Sequence, residues 1–82
     1  MVRWTRDPRS GDRRLDLGHG LSLHVWYEGL QRLPANAPKY NISVFGRRLV
    51  TRSADIPEAK RRAEHAARRW MHEALLKLNG RI

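Results

Sequence analysis

The chain has no cysteine, so it has no disulfide framework, no thiolate zinc ligand and no cysteine nucleophile. No apolar run approaches the roughly 20 residues of a membrane span. The opening MVRWTRDPRS lacks the apolar stretch of a secretory signal. A cytoplasmic protein that makes no membrane contact is the simplest expectation. Glycine-rich phosphate loops and serine elbows are missing. His65 and His72 stand seven apart on one helix face with no partner at ligand spacing, and His72-Glu73 lacks the second histidine of a zinc-protease motif. The expectation is therefore a non-enzymatic chain with no metal and no cofactor. Acidic residues are also scarce, eight against seventeen Lys and Arg, for a formal charge of +9.

What remains is short and basic. A chain of 82 residues makes one domain at most. At this size about 60% of the unfolded surface is buried, which allows one small core. The positive charge is spread along the whole length, and most of it is arginine. Guanidinium forks suit bidentate contacts to phosphate or carboxylate and stack on bases. Such a surface attracts polyanions, nucleic acid first among them.

Residues 1–14 read as a basic N-terminal arm. Arg3, Arg6, Arg9, Arg13 and Arg14 recur there, Pro8, Ser10 and Gly11 oppose regular structure, and Trp4 is the anchor to the body. Residues 15–82 read as a single domain. Leu15 and Leu17 alternate around Asp16 as a short strand, and Gly18-His19-Gly20 forms a turn. Residues 21–28 alternate strictly: Leu21, Leu23, Val25 and Tyr27 on one face, Ser22, His24, Trp26 and Glu28 on the other. Gly29, Pro34 and Pro38 mark a loop over 29–38. Residues 39–45 alternate again, with Asn41, Ser43 and Phe45 opposite Tyr40, Ile42 and Val44. Gly46-Arg47 then turns the chain into a partner strand over 48–52.

A helix is predicted from about Pro57 to Leu78, with Asp55 or Ser53 as N-cap and Asn79-Gly80 as the stop. Ala59, Ala63, Ala66, Ala67, Trp70, Ala74 and Leu78 form its apolar stripe, and the alanines let it lie close to a sheet. The fold class is α+β: a three-stranded antiparallel sheet packed on one long C-terminal helix.

Three surfaces are candidates for binding. The helix face opposite the apolar stripe carries Arg61, Arg62, His65, Arg68, Arg69 and His72 within an arc of roughly 120°. The bland reading is a solvated face laced by the i,i+4 pairs Glu58–Arg62, Glu64–Arg68 and Glu73–Lys77. The second surface is the outer sheet face with His24, Trp26, Asn41, Ser43 and Phe45, where exposed aromatics suit base stacking, groove contact or a protein interface. The competing reading folds the 29–38 loop, with Leu30 and Leu33, and Trp4 over them as a second small core. The third is the arm, joined by Arg47, Arg48 and Arg52 at the hairpin tip.

From Tyr40 to Leu78 the order strand, glycine turn, strand, helix, with Ala59-Lys60, Ala63, Ala66 and Ala67, resembles the C-terminal half of double-stranded-RNA-binding domains. The first helix of that family is missing, and Pro57-Glu58 stands where it has a lysine pair. The three-strand-plus-helix order is also similar to ethylene-response-type DNA-binding domains and phage integrase arm-binding domains, whose open sheet face enters the major groove. Antitoxin-like β-β-β-α domains share the shape, and small phage or mobile-element proteins the composition. The charge and these surfaces predict a DNA- or RNA-binding module, with Arg61, Arg62, His65, Arg68, Arg69, Arg47, Arg48 and Arg52 on phosphates and Trp26, His24 and Phe45 on bases or grooves, and the resemblances imply the same class of ligand. The alternative is a small interaction module, an inhibitor or adaptor, docking on an acidic or nucleic-acid-binding protein. A homodimer through the open sheet face is a third expectation.

Overall fold

The computed structural model describes residues 3–27, 34 and 36–80. The architecture is α+β: an antiparallel sheet covered on one face by a long C-terminal helix. Among the described residues the sheet has five strands rather than three. They are β1 (Thr5–Arg6), β2 (Arg13–Gly18), β3 (Leu21–Tyr27), β4 (Tyr40–Val44) and β5 (Arg47–Arg48), in that spatial order.

Two strands are additional: β2 contains the short strand predicted around Leu15 and Leu17, and β1 comes from the residues expected to be an arm. Asp7 makes a turn there: its carboxylate accepts the backbone N–H groups of Arg9 at 2.8 Å and Ser10 at 3.2 Å. The chain thus reverses, and Thr5 and Arg6 pair with Arg14 and Arg13. Trp4 consequently packs against the main core on the helix side, with the Lys60 ammonium 5.6 Å from its ring centroid. It does not cover the outer aromatics. Most of the 29–38 loop, including Leu30 and Leu33, lies outside the described residues.

The β2–β3 connection follows its sequence. Gly18, His19 and Gly20 all take positive φ, and Asp16 caps the turn by accepting the Gly18 N–H at 2.8 Å. The β4–β5 turn falls one residue earlier than expected. Phe45 and Gly46 occupy it at φ 53° and 81°, the double positive φ of a two-residue turn matched to strand twist. Arg47 therefore belongs to β5, opposite Val44. The partner strand is also shorter than predicted. After Arg48 only the Leu49 N–H continues the ladder, to the Ile42 carbonyl at 2.8 Å, and Val50 is fully exposed. The chain returns to the sheet at Ser53, which pairs with Tyr40.

α1 (Ile56–Asn79) starts where expected. Asp55 caps it by accepting the Glu58 N–H at 2.7 Å, and Pro57 sits in the first turn, where its missing donor costs nothing. Gly80 closes it, donating to the Leu76 carbonyl at 2.8 Å. The core is one cluster: Leu15, Leu23, Val25, Ile42 and Val44 from the sheet against Ala59, Ala63 and Ala67. The register explains this composition. Leu15 faces Leu23, Leu23 faces Val44 and Val25 faces Ile42, so one apolar patch spans β2 to β4. The alanines are buried because α1 crosses β3 and β4 closely, with no room for a longer side chain.

α1 is longer than the sheet that it covers. At ~1.5 Å per residue, 24 residues reach roughly 36 Å. Every residue from Met71 to Gly80 is exposed, and the chain measures 52 × 24 × 17 Å. None of the described helices is long and apolar enough to cross a membrane.

Candidate nucleic-acid interface

The sheet face turned away from α1 is built from alternate residues of every strand. One cross-strand row runs Thr5, Arg14, His24, Ser43, Arg48, each opposite the next. The neighbouring row places Trp26 opposite Asn41. With strands about 4.8 Å apart, the Arg14 and Arg48 backbones stand roughly 14 Å from each other across the sheet. Between them lie an imidazole and a hydroxyl.

Several contacts hold this face in place. The His24 and Trp26 rings stack at 4.9 Å with an interplanar angle of 29°. Asp12 Oδ2 lies 3.4 Å from His24 Nε2, so protonation of the imidazole converts the contact into an ion pair. Asn41 is buried, and its Oδ1 accepts from Arg48 at 2.6 Å and from Arg52 Nε at 3.2 Å. The amide oxygen orients both guanidiniums. Thr5, Arg6, Asp7, Asp12, Arg14 and His24 together line a shallow cleft at the β1 end of the same face.

Three aspartates are engaged by the backbone. Asp7, Asp16 and Asp55 point their oxygens at backbone N–H groups of turns and of the helix start. The two N–H groups on Asp7, that of Arg9 foremost, hold its carboxyl below the usual range. Among the described residues, neither Arg61 nor Arg68 has a carboxylate within ion-pair distance, and both are exposed. Of the expected helix pairs none forms. Glu73 instead accepts from Arg69 at 3.1 Å. Glu58 loses Arg62 to the loop before the helix, where that guanidinium donates to Ser53 Oγ at 2.8 Å, to the Thr51 carbonyl at 3.1 Å and to the Thr51 hydroxyl.

The predicted site residues thus divide. His24, Trp26, Arg48 and Arg52 gather on the outer sheet side. Arg61, His65, Arg68, Arg69 and His72 are exposed on the back of the helix, across the full thickness of the two layers. Three expectations fail on position. Arg62 turns to Ser53 and Thr51 and serves as a loop clamp. Phe45, displaced from strand alternation by its positive φ, faces the helix side with its ring 6.4 Å from Trp70. Arg47, opposite Val44, follows it there and lies 5.5 Å over the Trp70 ring. The hairpin tip therefore sends its two arginines to opposite faces.

Arg14 belongs to the stretch expected to be an arm, but it stands in β2 opposite His24. Its signal was the alternation of Arg14 and Asp16 against Leu15 and Leu17, which extends the strand backwards by two residues. Among the described residues no group of three or more His, Asp or Glu gathers at metal-binding distance. Comparison with protein-family models, with curated proteins and with solved structures finds no match to this chain.

Proposed function

We propose that the chain binds nucleic acid through the outer face of its sheet. The observation that supports this reading is the row Arg14, His24, Ser43, Arg48 on the face opposite α1. Two arginines roughly 14 Å apart match the ~12 Å width of a duplex major groove, so each meets one phosphate wall. His24 and Ser43 sit between them, where base edges present donors and acceptors. Trp26, stacked under His24, stiffens the centre of the row and offers a ring to a base. Arg61, Arg68 and Arg69 on the far side strengthen the long-range field that steers a polyanion inward.

The test is a binding panel over single- and double-stranded DNA and RNA at several salt concentrations. Duplex DNA is expected to bind best, with log K falling by about 0.9 per phosphate neutralised for each decade of salt. Arg14→Ala and His24→Ala are each expected to weaken binding about tenfold or more, the scale of one good polar base or phosphate contact. Arg61→Ala and Arg68→Ala are expected to change it only a few-fold. Absence of binding at low salt overturns the proposal. So does a panel in which the helix variants abolish binding and the sheet variants leave it intact.

A further inference from the structure

We infer that His24 gates the outer sheet face by pH: on gaining a proton it switches the β1 end of that face from formally neutral to positive, and so tightens the hold on a nucleic-acid phosphate. The inference rests on the nucleic-acid reading above and adds its regulation. The chain as a whole carries +9. The cleft lined by Thr5, Arg6, Asp7, Asp12, Arg14 and His24 nevertheless sets two guanidiniums against two carboxylates, which cancel. Its net charge is therefore decided by His24, because histidine is the side-chain type that changes charge between about pH 5 and 8.

His24 is placed to act as the gate. It stands opposite Arg14 of β2 and Ser43 of β4. Its side chain is 42% exposed, so a ligand reaches it, and Trp26 stacks on the ring from the same strand. Asp12, before β2, lies 3.4 Å from Nε2. A carboxylate there favours the neutral tautomer with its proton on Nε2, so the proton gained at lower pH goes to Nδ1. The imidazole thus changes from one donor, facing Asp12, to two donors and a full charge. That charge pairs with Asp12, and the carboxylate that repels a phosphate at high pH is neutralised in place.

The other groups around His24 set a fixed background. Arg6 and Arg14 line the same cleft, and Arg48 lies beyond Ser43 in the row; arginine stays cationic throughout. Arg52 joins Arg48 on Asn41. Arg13 lies opposite Val25, on the other face. Asp7 stays a carboxylate across the window, because the N–H groups of Arg9, foremost, and Ser10 hold its carboxyl below the usual range. Asp16, diagonal to His24 on β2, turns to the Gly18 N–H. His19 sits in the β2–β3 turn, and His65 and His72 are on the back of α1.

Binding of a short DNA duplex to the full chain, measured by fluorescence anisotropy at fixed salt from pH 8 to 5.5, tests this. Affinity is expected to rise at least about fivefold on acidification, the lower end of ordinary coupling between two ligands. His24→Gln is expected to lose most of that rise, and the double variant His65→Gln/His72→Gln to keep it. Asp12→Asn is expected to bind more tightly than the unaltered chain at pH 8, where the carboxylate otherwise faces the phosphate. Coupling is reciprocal. The His24 imidazole of the unaltered chain, followed by NMR, is therefore expected to titrate at higher pH with duplex bound than without, and to move further than His65 and His72. This last measurement depends on no variant folding. Binding at pH 8 that acidification leaves unchanged, a rise that survives His24→Gln, or an imidazole titration unmoved by the duplex overturns the gate and leaves the nucleic-acid reading standing. Absence of binding at every pH in low salt overturns both.

Discussion

Arg61 and Arg62 are neighbours in sequence and opposites in environment. Arg61 is exposed without a carboxylate partner among the described residues, while Arg62 spans from α1 to Thr51 and Ser53. A helical wheel places both on one basic arc. It is blind to the loop that passes beside Arg62. Loss of a clamp that satisfies several acceptors costs about 1–3 kcal/mol, whereas a solvated surface arginine costs less than about 0.5. Urea unfolding of Arg62→Ala and Arg61→Ala is expected to show that contrast. Asp7 carries the pH dependence at this scale. Its folded pKa lies below the unfolded value because two backbone N–H groups favour the carboxylate. Its contribution is therefore present above the usual carboxylate range and is lost as pH falls through the lowered folded value. Acid titration followed by amide NMR is expected to show Arg9 and Ser10 moving with Asp7, and Asp7→Ala to remove that transition.

The helix and the strands differ in how openly the sequence announces them. α1 is marked by Asp55, Pro57, the alanine stripe and Gly80, and each marker operates locally. The spacing of Ala59, Ala63 and Ala67 also states how close the sheet must come. Ala63 is fully buried between α1 and the sheet, so Ala63→Leu is expected to destabilise by about 1–3 kcal/mol through overpacking. Ala74→Leu, at the same spacing on the free end, is expected to be nearly neutral in thermal unfolding. β3 and β4 are equally legible from alternation. β1 is not, because two residues give no period and the pairing depends on the Asp7 turn, a side-chain event. Phe45 misled for a related reason. Alternation continues through it only if the strand does, and a bulky residue at positive φ is uncommon enough to read as strand by default. The tight fit of a two-residue turn to strand twist, with Trp70 beneath the ring, overrides that preference.

At the scale of the molecule, the positive charge is divided between two faces separated by the whole thickness of the domain. Substitutions on the two sides share no partner, so their effects on nucleic-acid affinity are expected to add. Binding measurements on Arg14→Ala, Arg68→Ala and the double variant check this. Additivity within about 0.5 kcal/mol is expected, and strong coupling means that one ligand wraps both faces. The sequence by itself determined the class of fold, the extent of the helix, the buried alanines and the excess of arginine, because these follow from periodicity, capping and composition, which are local. Which arginines share a surface was decided only by the tertiary structure. A one-residue shift of the β4–β5 turn sent Arg47 and Arg48 to opposite faces, and the hydroxyls of Thr51 and Ser53 drew in Arg62, because side-chain direction in a sheet depends on register and register depends on pairing between distant residues.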